Sequence, residues 1–442
     1  MKLFSFLVIL SFLNSCSFDN KSGIWNNENV TANNKNDNFL TDFKKISSSN
    51  EIFNEIKKID DSFIFNIDKP YNNTSWKDIF YNNNNNTKNF KYDNLNQVIF
   101  ISKKLTKYNA NNYILVENNN LFLTDKKGYL IVYSINENKI IAKLNFYKKK
   151  YKKIEKNLNI IIEGETIFIS DNFGFIYAYD YQQNKILWAK NYKVPFRSNI
   201  KLINDKIITS NQNNDLFIFD KNSGNLIKKI PSEETIINNS FINNIALGNE
   251  EIFFLNTYGS LYSINNRDFK LNWFVNLNKT LDLNLSNLFS GSEIVYSDNK
   301  IVVSSNDNFY ILDSKSGSII SRKNFSPISK PLVINNYIFL ITKNSLLISM
   351  KLQNGDIIYS YDMNQKVSDF LGTKKKTLQI KIIKIANNKI LIFLENSYLI
   401  KLDLKGNLIE IDKLPVKINS YPIFINNSLL FLNKKNKLLT IN

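Results

Sequence analysis

The sequence predicts an all-β fold, an eight-bladed β-propeller of four-stranded antiparallel blades, from three observations. A strand–turn–strand–turn–strand unit recurs about eight times at roughly 37–52-residue spacing, the period of a propeller blade. Tight-turn residues fall at a fixed place in each copy. The last copy stops one strand short of a blade, while a lone strand precedes the first.

The units begin at Leu121, Ile167, Ile207, Ile252, Ile301, Ile338, Ile390 and Leu429. Leu121-Phe122-Leu123-Thr124-Asp125-Lys126-Lys127-Gly128-Tyr129 aligns with Ile167-Phe168-Ile169-Ser170-Asp171-Asn172-Phe173-Gly174-Phe175. Seven residues after each start stand Gly128, Gly174, Asn214, Gly259, Asn308, Ser345, Ser397 and Asn436. Gly and Asn tolerate the left-handed backbone of a tight hairpin, whereas the two serines fit less well. A second turn shows Asp220 to Gly224, Asp313 to Gly317, Gln353 to Asp356 and Asp403 to Gly406. Innermost strands are expected at 113–116, 199–202, 330–334 and 421–425. The final unit ends at Asn442 after three strands, and an unpaired edge there is an aggregation hazard. The orphan strand 96–102 is therefore expected to complete the last blade and close the ring, so that 96–442 forms the propeller. A three-stranded β-helix and two stacked sandwiches fit the strand content, but neither explains a truncated last unit matched by an orphan first strand.

Composition narrows the chemistry. The chain has 442 residues, no His and one Cys, which excludes His-based triads, His zinc sites, disulfides and thiolate clusters. No catalytic, metal or cofactor residues are assigned. The net charge is +18, almost all from Lys; the arginines are Arg197, Arg267 and Arg322. Asn makes up about a sixth of the chain, as codon drift in an AT-rich genome produces, so part of that charge has no functional meaning. The basic runs Lys148 to Lys153 and Lys374 to Lys376 read as solvated loops or contacts to anionic lipid rather than a nucleic-acid surface.

The N-terminus reads as an address and an anchor. Met1-Lys2 precedes the apolar run Leu3 to Leu13, too short to span a bilayer but of secretory h-region size. Leu13-Asn14-Ser15-Cys16 resembles a bacterial lipobox, so residues 1–15 are expected to be a lipoprotein signal peptide and Cys16 the lipidated residue. Several acyl chains on one residue hold a protein firmly to a membrane. Ser17, in place of Asp, implies delivery to the outer membrane. Residues 16–95 are polar, with Asn-rich runs at 33–38 and 82–86, and read as a flexible tether with a short helix near 50–56.

Tyr179-Asp180-Tyr181-Gln182-Gln183-Asn184-Lys185-Ile186-Leu187-Trp188 resembles a worn PQQ-type propeller repeat, as do Asp220 to Gly224, Asp313 to Gly317 and Trp273. With the lipobox and the repeat count, the chain resembles the BamB family of outer-membrane protein assembly factors. The resemblance implies a non-enzymatic scaffold without cofactors, lipid-anchored on the periplasmic face of the outer membrane. It implies binding to the POTRA region of the barrel insertase and help in the delivery of unfolded outer-membrane proteins. It also places partner-binding residues Val194, Phe196 and Arg197 in Val194-Pro195-Phe196-Arg197-Ser198, with Phe196 for the family's Leu and Ser198 for its Gly. Arg with apolar neighbours is a typical interface anchor; the alternative is that Arg197 pairs with a nearby acid and Phe196 packs between blades. Trp188 and Trp273 read as blade-packing residues, and the acidic pairs Glu163/Glu165 and Glu233/Glu234 as surface. A periplasmic PQQ-dependent dehydrogenase shares the fold, as does a carbohydrate-binding propeller.

Labelled palmitate is expected to enter the protein in cells and to be lost in Cys16→Ala; equal labelling of both contradicts the anchor.

Overall fold

The hairpin units assemble into the expected ring. The structure, a computed structural model, describes residues 52–147, 151, 153–233, 241–278 and 289–442. Cys16, the signal peptide, residues 16–51 of the expected tether, Lys148 to Lys150, Lys152 and Glu234 lie outside the described residues.

Eight four-stranded antiparallel sheets form the blades, each with strands A to D running from axis to rim. Blade 1 consists of Ala110–Glu117, Asn120–Asp125, Tyr129–Ser134 and Lys139–Asn145. Blades 2 to 7 span 158–191, 201–230, 244–276, 295–323, 332–362 and 380–413. Strands A to C are largely buried, whereas D strands alternate inward and outward residues, as in Lys185–Asn191. Blade 8 takes strands A to C from Ile423–Ile425, Ser428–Leu432 and Leu438–Ile441, and strand D from Val98–Ile101. Val98 pairs with Ile441 and Ile101 with Leu439, so the chain's own beginning closes the ring as expected.

Local chemistry fixes each hairpin. Four residues after the unit start stand Asp125, Asp171, Asn211, Asn256 and Asn433, and the Oδ1 of each accepts from the backbone N–H groups two and four residues on. These Asx turns pull the chain into the B–C hairpin. Ser345 (φ 63°) and Ser397 (φ 69°) adopt the left-handed conformation alongside Gly128, Gly174, Asn214, Gly259 and Asn436, so they fit the pattern better than their side chains suggested, whereas Asn308 does not adopt it.

The worn Trp repeat explains how blades join. Trp188 of blade 2 donates from Nε1 to Lys221 O (3.0 Å) and covers Gly224 of blade 3, where a Cβ would lie 2.3 Å from the indole. Trp273 of blade 4 does the same to Ser314 O and Gly317 of blade 5. Both Trp residues thus pack blades, as expected. Ser321 and Tyr361 lie against Gly355 and Gly406 at the next two joints, so the docking position persists where the Trp does not.

The tether reading fails over residues 52–95. Residues 52–56 are extended rather than helical, and Lys57 pairs with Ser360 on the free edge of blade 6 through two backbone hydrogen bonds of 3.1 and 2.9 Å. Phe63 and Phe65 then pack on Tyr337. Residues 68–93 cross the axis and cap the end of the ring that carries the A–B turns. They bond to blade 1 (Trp76 with Val116), blade 2 (Lys77 O from Ile162 N) and blade 3 (Asn83 Nδ2 to Leu202 O). They continue to blade 4 (Asn83 O from Leu247 N), blade 5 (Asn84 O from Tyr296 N) and blade 6 (Asp68 N to Asn335 Oδ1). Blade 7 (Phe90 with Ile385 and Asn387) and blade 8 (Asn73 with Asn426) complete the circuit. The run Asn82 to Asn86, low in complexity, is thus a structural insert: Asn85 is 0% exposed and its Nδ2 reaches Asn244 Oδ1, Ile245 O and Ile294 O. An amide side chain both donates and accepts, which suits it to converging strand ends.

One element had no sequence counterpart. The helix Met363–Leu371, capped by Asp362 accepting from Gln365 N and ended by left-handed Gly372, sits between blades 6 and 7 and accounts for the widest unit spacing. Lys375 pairs with Asp362 at 2.6 Å beside it.

A buried ion pair ties the cap to the ring: Lys201 Nζ meets Asp78 Oδ2 at 2.6 Å, with side chains 0% and 4% exposed. Burial draws the Lys201 ammonium below its ordinary range while Asp78 opposes the shift. Asp78→Ala is expected to lower stability by about 3–5 kcal/mol by stranding that charge, and Lys201→Met added to it to recover much of the loss. Urea unfolding with an unchanged midpoint for the single variant contradicts the role of the cap.

Candidate functional site

The expected partner loop, Val194 to Ser198, is the crossover from strand D of blade 2 to strand A of blade 3, on the face carrying the B–C hairpins. Backbone bonds hold it on three sides: Phe196 N to Asp171 O (2.9 Å), Arg197 N to Ser210 O (2.8 Å) and Asn243 N to Arg197 O (3.1 Å). Ser198 Oγ accepts from Ser210 N at 2.7 Å. Ser292 with Ser304 and Ser420 with Leu432 repeat that bond at the same twelve-residue spacing. Ser198 is therefore a recurring stitch of this ring rather than a disturbance of the loop.

The three sequence-chosen residues do not present alike. Phe196 is 2% exposed and packs against Tyr192, Phe217 and Phe219 between blades, the packing alternative weighed for it. Val194 is half-buried, with its backbone against Gly174. Arg197 is half-buried and lines a surface groove with Gln212, Ile242, Tyr113 and Asn159. Ile242 is exposed beside it, so a guanidinium and an apolar side chain share one accessible patch. Partial burial pulls the Arg197 guanidinium below its usual range.

Two charged clusters escaped the sequence reading. Glu233 is not a bare surface acid. Burial pushes its carboxyl up, but hydrogen bonds from Tyr262, Ser260 (3.0 Å) and Asn256 (2.9 Å) outweigh it and hold the group low. On the ring axis, between the cap and the crossovers, lies a cavity of about 220 Å³. Its lining includes Trp76, Tyr113, Glu293, Lys330, Lys384 and Tyr421. No spacing rule brings these together, because they come from the cap, from blades 1 and 7, and from the crossovers on either side of blade 5 and into blade 8. The one sequence signal was a Lys at strand A positions otherwise apolar, as in Ile382-Ile383-Lys384-Ile385.

Residues 153–361 match a family model described as outer membrane protein assembly factor BamB, a span that contains the Val194 to Ser198 loop. No curated protein matches the chain in sequence. Among solved structures, BamB from Moraxella catarrhalis superposes with a TM-score of 0.60 at 11% identity, covering 78% of this chain and 100% of its own. A europium-containing methanol dehydrogenase gives 0.61 at 11% identity over 83% of this chain and 89% of its own. The quinohemoprotein alcohol dehydrogenase ADHIIG from Pseudomonas putida HK5 gives 0.59 at 7% identity, covering 83% and 80%. At such identities the structural likeness carries the fold alone; the family match adds the repeat type. By fold and repeat together, this chain is an eight-bladed propeller that resembles BamB and its PQQ-type repeats.

Proposed function

We propose that the protein is a lipid-anchored scaffold of the outer-membrane β-barrel assembly machinery, held by Cys16 at the periplasmic face. Its partner is the POTRA region of the insertase, and unfolded outer-membrane proteins are the clients it helps to deliver. The observation that carries this reading is the family match over 153–361, which includes the crossover bearing Arg197. Among the described residues no helix is long and apolar enough to cross a membrane, so attachment in this reading rests on the lipid.

The partner-facing surface in this account is narrower than the sequence implied. Arg197 makes the contact, with Val194 at its flank, and Phe196 acts from beneath by fixing the crossover between blades. An Arg beside exposed Ile242 combines a bidentate donor with an apolar contact, the composition of an interface centre.

The dehydrogenase reading is favoured by the quinoprotein neighbours. Among the described residues no three Asp, Glu, His or Cys side chains converge on a common point, so no cluster of that kind supports a calcium-bound quinone there.

Affinity purification of the tagged protein from native membranes is expected to recover the insertase. Arg197→Glu is expected to reduce that recovery roughly tenfold or more, as loss of a charged anchor does, without changing the melting transition. Undiminished recovery removes Arg197 from the interface, and purification without any insertase removes the scaffold reading. Reduction of an artificial dye after addition of PQQ and calcium restores the enzyme reading.

A further inference from the structure

The axial cavity holds more positive charge than the fold needs. Lys384 is 8% exposed and lines it, yet among the described residues its ammonium has no hydrogen-bond or ion-pair partner; the Trp76 ring lies 4.8 Å away. Lys330 lines the same space and donates to the Asn85 carbonyl of the cap. Two hydroxyl oxygens in the lining, Thr87 Oγ1 and Ser329 Oγ, are buried without a hydrogen-bond partner. Buried polar groups are nearly always satisfied, and a charged one left alone is costly.

The other titratable groups facing the space do not cancel this charge. Lys381 is engaged by Glu395 at 3.4 Å. Burial pushes the Glu293 carboxyl up while the Lys330 charge opposes the shift, so Glu293 offsets part of the Lys330 charge and leaves Lys384 uncompensated; burial also raises Tyr113 and Tyr421. Beyond the cap wall, Lys201 and Asp78 neutralise each other. The remaining wall is flat and apolar: Trp76, Phe80, Tyr113 and Tyr421 with Ile114, Leu332 and Ile423. An ammonium that meets only a Trp ring, a second ammonium held by a single carbonyl, unpartnered hydroxyls and aromatic walls in one space are complementary to an organic acid.

We propose that the axial cavity binds a small carboxylate, its anionic group held by Lys384, Lys330 and the hydroxyls of Thr87 and Ser329, its apolar body against Trp76, Tyr113 and Tyr421. This site shares Ile79 and Tyr113 with the Arg197 groove but does not depend on the scaffold reading. Binding neutralises the stranded ammonium and links the cap to the crossovers. Burial, with the Lys330 charge second, draws Lys384 down to about 7, and burial draws Lys330 down to about 8. Affinity is therefore highest below neutral pH and falls as both lysines deprotonate with rising pH.

Calorimetric titration of the purified full-length protein with sodium benzoate tests the site, with inorganic phosphate as the arm lacking an apolar body. Saturable benzoate binding is expected at one site, tighter than phosphate and tighter at pH 6 than at pH 9. Lys384→Met is expected to weaken it about tenfold or more, as removal of a charged hydrogen-bond donor does. Thr87→Val gives a second reading from the opposite wall should the first variant fail to fold. Absence of benzoate binding, binding of phosphate alone, or equal affinity in the folded variants overturns the proposal.

Discussion

A ring of sheets converges eight strand ends on one axis, and the polar backbone there has to be satisfied. Neighbouring innermost strands belong to separate sheets, and an apolar plug would leave their N–H and C=O groups without partners. Residues 68–93 meet the constraint by bonding to every blade in turn, largely through the asparagines at 73 and 83–85. Asn suits the task because its amide donates and accepts and because it enters left-handed backbone readily, as at Asn85 (φ 58°). The same stretch then supplies strand D of the last blade, so ring closure and axial closure are made by one continuous segment.

That arrangement gives the two faces different characters. The face with the A–B turns is crossed by the chain itself. The opposite face carries the B–C hairpins, held by Asx turns, and the crossovers, held by serine stitches such as Ser198 with Ser210. Arg197 and the mouth of the axial cavity both belong to this second face, and Tyr113 lines both. A surface whose backbone is pinned at each crossover loses little entropy on binding, which suits a rigid platform for other proteins.

Periodicity made most of the fold legible. The unit starts, the left-handed turn positions and the truncated final unit specified eight blades and the closing strand, because these are local signals repeated often enough to be recognised. The cap was not legible for the opposite reason. Its asparagines find partners 119 to 351 residues away, as Asn83 does with Leu202 and Asn73 with Phe424, and composition alone makes such a run look like a linker. The Asx position four residues into five of the units stands in the sequence at Asp125, Asp171, Asn211, Asn256 and Asn433, but is less conspicuous than the glycines. Arg197 was found as an unusual Arg in a Lys-rich chain. Phe196 could not be sorted into core or surface, since an apolar residue next to a charged one is compatible with both.

The central claim is that the chain before the first blade is part of the folded ring. Amide hydrogen exchange of the full-length protein tests it most directly, because exchange reads local opening at each backbone group. The account predicts that peptides covering 71–93 and 98–101 are protected to the same degree as the innermost strands, such as Ala110–Glu117. Complete exchange of 71–101 within seconds, while the blades stay protected, contradicts it.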